Sequence, residues 1–304
     1  MFHVLSLQFP KKHIIMIMVI LVLVNMKDML QKAYENKYCV GHFNINNLEW
    51  TRFILEACEE KKSPVILGVS EGAVRYFGGY NVVVATVKSL IKDLNITIPV
   101  ALHLDHGSSF ETCRKAIVAG FTSVMIDASK HPLEQNIWVT NQVINFAHPL
   151  NVTVEAEIGH IGGEEDGVVG DIGYTTVEEA CEFYQNAHFD FLAPALGSVH
   201  GLYKGEPKLD FDRMKKISET LQIPLVLHGG TGIPDEMIKK GISCGIAKLN
   251  INTELQIVWT NAVREFLSKD EKAYDPRKVI KAGENAIKEA IFQKLEILGS
   301  IGKA

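Results

Sequence analysis

Eight short runs of near-continuous apolar residues recur along the chain, at positions 39–45, 64–70, 100–106, 123–129, 153–159, 191–198, 224–230 and 247–253. Strands covered on both faces read this way, whereas half-exposed strands alternate. Between the runs the apolar positions shift to helical spacing. Trp50, Phe53, Ile54, Ala57 and Cys58 share one helix face after the first run, as do Cys113, Ile117 and Val118 after the third and Met214, Ile217 and Leu221 after the sixth. Strand and helix alternating eight times in 304 residues predict an α/β fold, the closed (β/α)8 TIM barrel. A doubly wound open sheet would need a glycine-rich turn after its first strand, and none is present. The segment from Asp275 to Ala304 reads as extra C-terminal helices beyond the barrel.

Composition narrows the class. The net charge of −5 is spread evenly without a basic stripe, so nucleic acid is not an expected partner. Cys39, Cys58, Cys113, Cys181 and Cys244 are odd in number, dispersed and without C-x-x-C pairing. That fits reduced core thiols in a cytoplasmic protein rather than a disulfide framework. Ile14 to Val24 is an unbroken apolar run, too short to span a bilayer comfortably, so no stable membrane insertion is expected. It resembles the core of a signal peptide, but no small-x-small cleavage site follows. Residues 1–24 are therefore expected to be an appended leader, with Met16, Met18 or Met26 as alternative starts, and residues 25–304 to be one barrel domain.

Active sites of such barrels lie at the C-terminal ends of the strands. Here those ends carry Asn44, Ser70, Asp105 with His106, Asp127, Glu157, His200, His228, and Asn250 with Asn252. Buried polar groups are costly unless satisfied or used, so packing alone does not account for a polar residue at every strand end. Three imidazoles from separate strands, His106, His200 and His228, can hold one zinc ion and leave a coordination position open. Asp105 sets an acid/base group beside them. Strand alternation puts Asp105 and His106 on opposite faces, so both reach the mouth only if the chain turns there. His42, His160 and the other histidines are expected to be exposed or hydrogen-bonded, and His103 to be structural inside the barrel.

Two further segments carry chemistry. Glu157-Ile-Gly-His-Ile-Gly-Gly-Glu-Glu-Asp-Gly167 reads either as a solvated surface loop or as a lid that brings a carboxylate base over the substrate. His228-Gly-Gly-Thr-Gly232 and Asn250-Ile-Asn-Thr253 follow strands seven and eight, where these barrels frequently bind phosphate through exposed main-chain N–H groups. The residues alone thus point to a metal-dependent barrel enzyme acting on a small phosphorylated polyol or carbonyl compound.

The segments Val40-Gly-His-Phe-Asn44, Ser70-Glu-Gly-Ala73, His103-Leu-Asp-His106, Val154-Glu-Ala-Glu157, Gly162-Gly-Glu-Glu-Asp166, Ala193-Pro-Ala-Leu-Gly-Ser-Val-His-Gly201, Tyr203-Lys-Gly-Glu-Pro-Lys208, His228-Gly-Gly-Thr-Gly232 and Tyr274-Asp-Pro-Arg277 resemble, in matching order, class II fructose-1,6-bisphosphate aldolases. The resemblance implies a lyase that reversibly cleaves fructose 1,6-bisphosphate to dihydroxyacetone phosphate and glyceraldehyde 3-phosphate, as in glycolysis. It implies Zn2+ on His106, His200 and His228, proton transfer at carbon by Glu165, and proton transfer at the new hydroxyl by Asp105. Gly201, Gly229, Gly230, Thr231, Asn250, Ile251, Asn252 and Thr253 match the dihydroxyacetone-phosphate site, and Asn44 and Ser70 match positions near the substrate. Arg277 matches an arginine that reaches the far phosphate from a neighbouring subunit, so a homodimer or homotetramer is implied. Asp127 and Glu157 match a second or alternate metal position, and a monovalent cation, Na+ or K+, is implied near Gly201 and Gly229. His42 and His160 depart from the family pattern.

Three other readings have distinguishing marks. A tagatose-1,6-bisphosphate aldolase shares fold, metal and mechanism. A zinc hydrolase would favour a His-x-His pair on an early strand. A Schiff-base aldolase needs a buried nucleophilic lysine, and Lys248 is the only strand lysine.

Overall fold

The computed structural model describes residues 22–159, 173–203 and 205–304, and the main chain of 162–165 and 168–170. Its strands are β1 (Val40–Asn44), β2 (Val65–Ser70), β3 (Val100–Gly107), β4 (Ser123–Ile126), β5 (Thr153–Ile158), β6 (Gly162–Glu165), β7 (Val168–Gly170), β8 (Phe191–Pro194), β9 (Val199–His200), β10 (Leu225–Leu227) and β11 (Ile246–Ile251). Eight of them close a parallel barrel in the order β1-β11-β10-β8-β5-β4-β3-β2. These are the eight apolar runs of the sequence. Several strands stop short of them: β4 ends at Ile126, β8 at Pro194 and β10 at Leu227. The residues beyond these ends form the loops of the mouth.

Alternation along the strands divides the core into two regions. Outward residues such as Leu67, Leu102, Leu104, Val154, Leu249 and Ile251 join the helices in the large cluster between sheet and helix layer. Inward residues near the strand starts, including Val40, Ile66, Ala101 and Val226, form a second cluster with Met26, Met29, Leu30 and Ala33. Those last residues bring the helix Lys27–Asn36 against the N-terminal end of the barrel. The floor of the barrel is therefore apolar, and the mouth is left for polar side chains. Val22 is buried, Leu23 bridges to Val100, and the Val24 N–H donates to the Val100 carbonyl at 2.9 Å.

Several of the helices start where a side chain accepts their first N–H groups. Asn47 accepts from Trp50 N to open Leu48–Glu60, and Ser109 accepts from Thr112 N to open Phe110–Ala119. Thr176 and Glu179 form a reciprocal capping box on Val177–Asn186. The C-terminal segment is helical as expected, over Pro276–Lys281 and Glu284–Leu298. Among the described residues no helix is long and apolar enough to cross a membrane.

Candidate active site

Where β3 ends, His106 takes a left-handed conformation, with φ 49°, and the pairing register with β4 shifts between Leu104 and Gly107. This is the turn that alternation required. Asp105 keeps the inward direction of His103, and His106 is swung to the same mouth. The φ is unusual for a residue with a Cβ, and such strain persists where the surroundings hold it. Here both ring nitrogens of His106 are engaged. Nδ1 lies 2.9 Å from Asp127 Oδ2, and Nε2 lies 3.0 Å from His228 Nδ1.

His106, His200 and His228 offer nitrogens within 4.8 Å of one another, with ring centroids 4.7–5.7 Å apart. The protons on two of these rings can be assigned. An ionised carboxylate only accepts, so Asp127 fixes the hydrogen of His106 on Nδ1. Glu155 Oε1, 2.9 Å from His228 Nε2, fixes that ring's hydrogen on Nε2. With both rings neutral, the two facing nitrogens, 3.0 Å apart, are then both lone pairs. Two acceptors at that distance repel unless a cation lies between them. Imidazoles oriented by carboxylates on their far nitrogens are the arrangement of histidine metal sites. Tetrahedral zinc with bonds of about 2.0–2.1 Å would set its nitrogens roughly 3.3 Å apart, so a small relaxation suffices. The donor set fits a divalent ion.

Asp127 is more than an end-of-strand polar residue. Burial pushes its carboxyl up, but hydrogen bonds from His106 and Ser129 outweigh this and hold it well below the usual range. Glu157 goes the other way: burial first, then the nearby Asp127 charge, raise it well above the carboxylate range. His106, Asp127 and Glu157 form another donor group within 4.8 Å. Because Asp127 orients His106, Asp127→Asn is expected to weaken metal binding roughly 10–100-fold. Competition against a chelator of known affinity checks this.

Asp105 is fully buried. Its Oδ2 accepts from Asn44 Nδ2 at 2.8 Å, and its Oδ1 accepts from Asn250 Nδ2 at 3.3 Å. A cavity of about 400 Å3 opens above this group. Of the residues expected to bind substrate, Asn44, Ser70, Gly201, Gly229, Gly230, Thr231, Asn250, Asn252 and Thr253 line it, and so does His200. Ile251 does not fit the expectation as a side chain, since it packs outward into the helix-side core. Thr253 opens the 17-residue helix Thr253–Lys269, whose first N–H groups suit an anion. Ser70 also caps the helix Glu71–Phe77 by accepting from Ala73 N.

The loops of His200 and His228 touch through a glycine. Gly229 has φ +67°, and a Cβ there would lie 2.1 Å from the Val199 carbonyl oxygen. Tyr203 ties the same loops together: its hydroxyl accepts from Val199 N and donates to the Gly229 carbonyl, both at 3.1 Å. The acidic segment is not merely a loop. Glu164 and Glu165 lie on β6, which pairs antiparallel with β7 and parallel with β9, where Gly163 is the partner of His200. The Glu165 side chain lies outside the described residues, as do His160 and Asp166. Arg277 is 89% exposed and pairs with Asp275 at 2.9 Å. It is not among the described residues of its own chain that line the cavity.

Sequence reasoning missed the layer beneath the site. Glu155 and Lys248 are both fully buried and ion-paired at 2.8 Å. Removing one partner would leave an uncompensated buried charge, at a cost of about 3–5 kcal/mol. Lys248 is thus occupied below the cavity, which removes it as an imine-forming nucleophile. His42 is neither exposed nor hydrogen-bonded, contrary to expectation: it is fully buried, and neither ring nitrogen has a hydrogen-bond partner. It fits because Gly68 has no side chain; a Cβ there would fall 1.6 Å from His42 Nε2. His103 is buried inside the barrel as expected, with Nδ1 2.9 Å from Ser123 Oγ. His42, His103 and Asp105 also group within 4.8 Å. Burial first, then the Lys248 charge, drive both imidazoles well below their ordinary pKa. That same ammonium opposes a cation among them.

Lone pairs converging beside a buried carboxylate, on a closed parallel barrel, define a metal-dependent barrel enzyme. Residues 24–303 match the family model described as fructose-bisphosphate aldolase class-II. The fructose-bisphosphate aldolase of Geobacillus stearothermophilus is 60% identical over 283 residues, covering 93% of this chain and 99% of that protein. The Staphylococcus aureus protein of the same name is 56% identical over the same shares. Among solved structures, the YdjI aldolase of Escherichia coli K12 has a TM-score of 0.81 at 36% identity, covering 93% of this chain and 99% of that one. The chain belongs to the class-II fructose-bisphosphate aldolase family.

Proposed function

We propose that this site carries out the family reaction, reversible cleavage of fructose 1,6-bisphosphate to dihydroxyacetone phosphate and glyceraldehyde 3-phosphate, with zinc on His106, His200 and His228. The observation that carries this reading is the pair of facing imidazole nitrogens 3.0 Å apart beside buried Asp105. A zinc ion bound there supplies a Lewis acid that polarises the substrate carbonyl. Asp105 takes the proton of the hydroxyl next to the scissile bond. The bond's electrons stay on the ketose-derived fragment, and Glu165 delivers a proton to that carbon. In condensation both transfers reverse. Gly201, Gly229, Gly230, Thr231 and the start of the Thr253–Lys269 helix receive the phosphate of dihydroxyacetone phosphate, with Asn252 and the main chain of Ile251. Asn44 and Ser70 face the other half of the sugar.

Exposed Arg277 serves the far phosphate of a neighbouring subunit, which makes the working enzyme a homodimer or homotetramer. Asp127 and Glu157 hold an alternate position for the divalent ion, and a monovalent cation sits near Gly201 and Gly229. Residues 25–304 act as one catalytic barrel in the cytoplasm, with 1–24 outside the activity. Fructose is the preferred sugar over tagatose, as the names of the close relatives suggest. A coupled triose assay on both bisphosphates tests this. Faster cleavage of the fructose ester is expected, and a clear preference for tagatose would refute the choice.

A further inference from the structure

Beneath the metal site, one chain of hydrogen bonds joins a proposed metal ligand to the proposed acid/base group. His228 Nε2 donates to Glu155 Oε1 at 2.9 Å. Lys248 Nζ lies 2.8 Å from Glu155 Oε2 and donates to Asn250 Oδ1 at 2.9 Å. Asn250 Nδ2 in turn donates to Asp105 Oδ1 at 3.3 Å and to His228 Nδ1 at 3.2 Å. Glu155, Lys248 and Asp105 are fully buried, and Asn250 is 7% exposed on the cavity wall.

The direction of every bond is forced by chemistry. An ammonium has only hydrogens to give, so the Asn250 carbonyl must face Lys248. A carboxylate only accepts, so the Asn250 NH2 must face Asp105. The amide therefore cannot turn over without facing Lys248 with hydrogens and Asp105 with oxygen. Asn44 is held differently: its Oδ1 is buried without a hydrogen-bond partner, so nothing locks that amide from behind.

One consequence concerns His228. Its Nδ1 accepts an Asn250 hydrogen and is also the nitrogen that faces His106. Whatever takes that lone pair releases the Asn250 hydrogen. The freed donor stays fixed by Lys248, beside the cavity where negative charge develops on the substrate. A donor aimed in advance costs no reorganisation during the reaction.

We propose that Lys248, anchored by Glu155, is a positioning residue that locks the Asn250 amide with its NH2 toward the metal site, so that metal binding turns Asn250 into an oxyanion donor. This rests on the zinc and substrate assignment above.

The test is a double-mutant cycle in the zinc-loaded enzyme with Lys248→Met, Asn250→Ala and both together. Each single change is expected to lower kcat about 100-fold, the scale of one lost oxyanion donor, with KM within a few-fold. The double variant should fall no further than Asn250→Ala alone. Two readouts stand apart from turnover. Zinc content should stay at that of the parent protein. In metal-free protein, the 15N resonance of His228 Nδ1 should lose its hydrogen-bond shift in Asn250→Ala and in Lys248→Met. Should Lys248→Met fail to fold, Glu155→Gln/Lys248→Met removes both charges together and carries the same expectation. Losses that multiply in the double variant, or zinc content that falls in step with kcat in Lys248→Met, overturn the positioning role. Asn250→Ala at full kcat would overturn the donor role as well, whereas a parent enzyme that binds no zinc or cleaves no fructose 1,6-bisphosphate would instead overturn the site assignment on which it rests.

Discussion

Asp105→Asn lowers the cleavage rate by about 10²–10⁴-fold, the range expected for loss of a positioned acid/base group, while fold and zinc content persist. The substitution keeps shape and removes only the ability to carry a proton. The site also tolerates it. Asn250 continues to donate to the remaining oxygen. The new NH2 would face the Asn44 NH2, but the Asn44 amide can turn over and offer its unpartnered Oδ1. Kinetics on fructose 1,6-bisphosphate, with zinc analysis and circular dichroism on the same samples, check this. A variant within tenfold of the parent would remove Asp105 from the chemistry.

His228→Ala is expected to cost more at the metal than any change behind it. It deletes one of three proposed ligands, and the loss of carbonyl polarisation is worth several kcal/mol, roughly 10³-fold or more in rate. It also leaves Glu155 and Lys248 without the imidazole above them. Asp127→Asn provides the contrast. There the ligand survives and only its orientation is loosened, so excess zinc restores most of the activity. Zinc titration of the two variants separates them: Asp127→Asn should recover with added metal and His228→Ala should not. Full recovery of His228→Ala would mean that the imidazole is not a ligand.

The barrel and the membership of its mouth were legible because both follow from local pattern. Continuous apolar runs marked strands covered on both faces, and a polar residue at each C-terminal end marked the rim. The apparent conflict between Asp105 and His106 resolved through one left-handed residue, a feature that spacing can demand but cannot locate. What alternation could have found was Glu155, two positions before Glu157 on the same inward face of β5. Its meaning could not be read, because its partner Lys248 lies across the barrel on a strand not adjacent to β5. His42 was opaque for a similar reason. Its burial depends on the missing side chain of Gly68 on the neighbouring strand, and the register that places it there is a property of the closed sheet.

X-ray absorption at the zinc edge of the loaded enzyme asks most directly whether these imidazoles share one ion. The expected spectrum has three nitrogens at about 2.0–2.1 Å with imidazole outer-shell scattering, reduced to two imidazoles in whatever zinc His228→Ala retains. A shell of oxygens alone, or a spectrum unchanged by His228→Ala, would contradict the account.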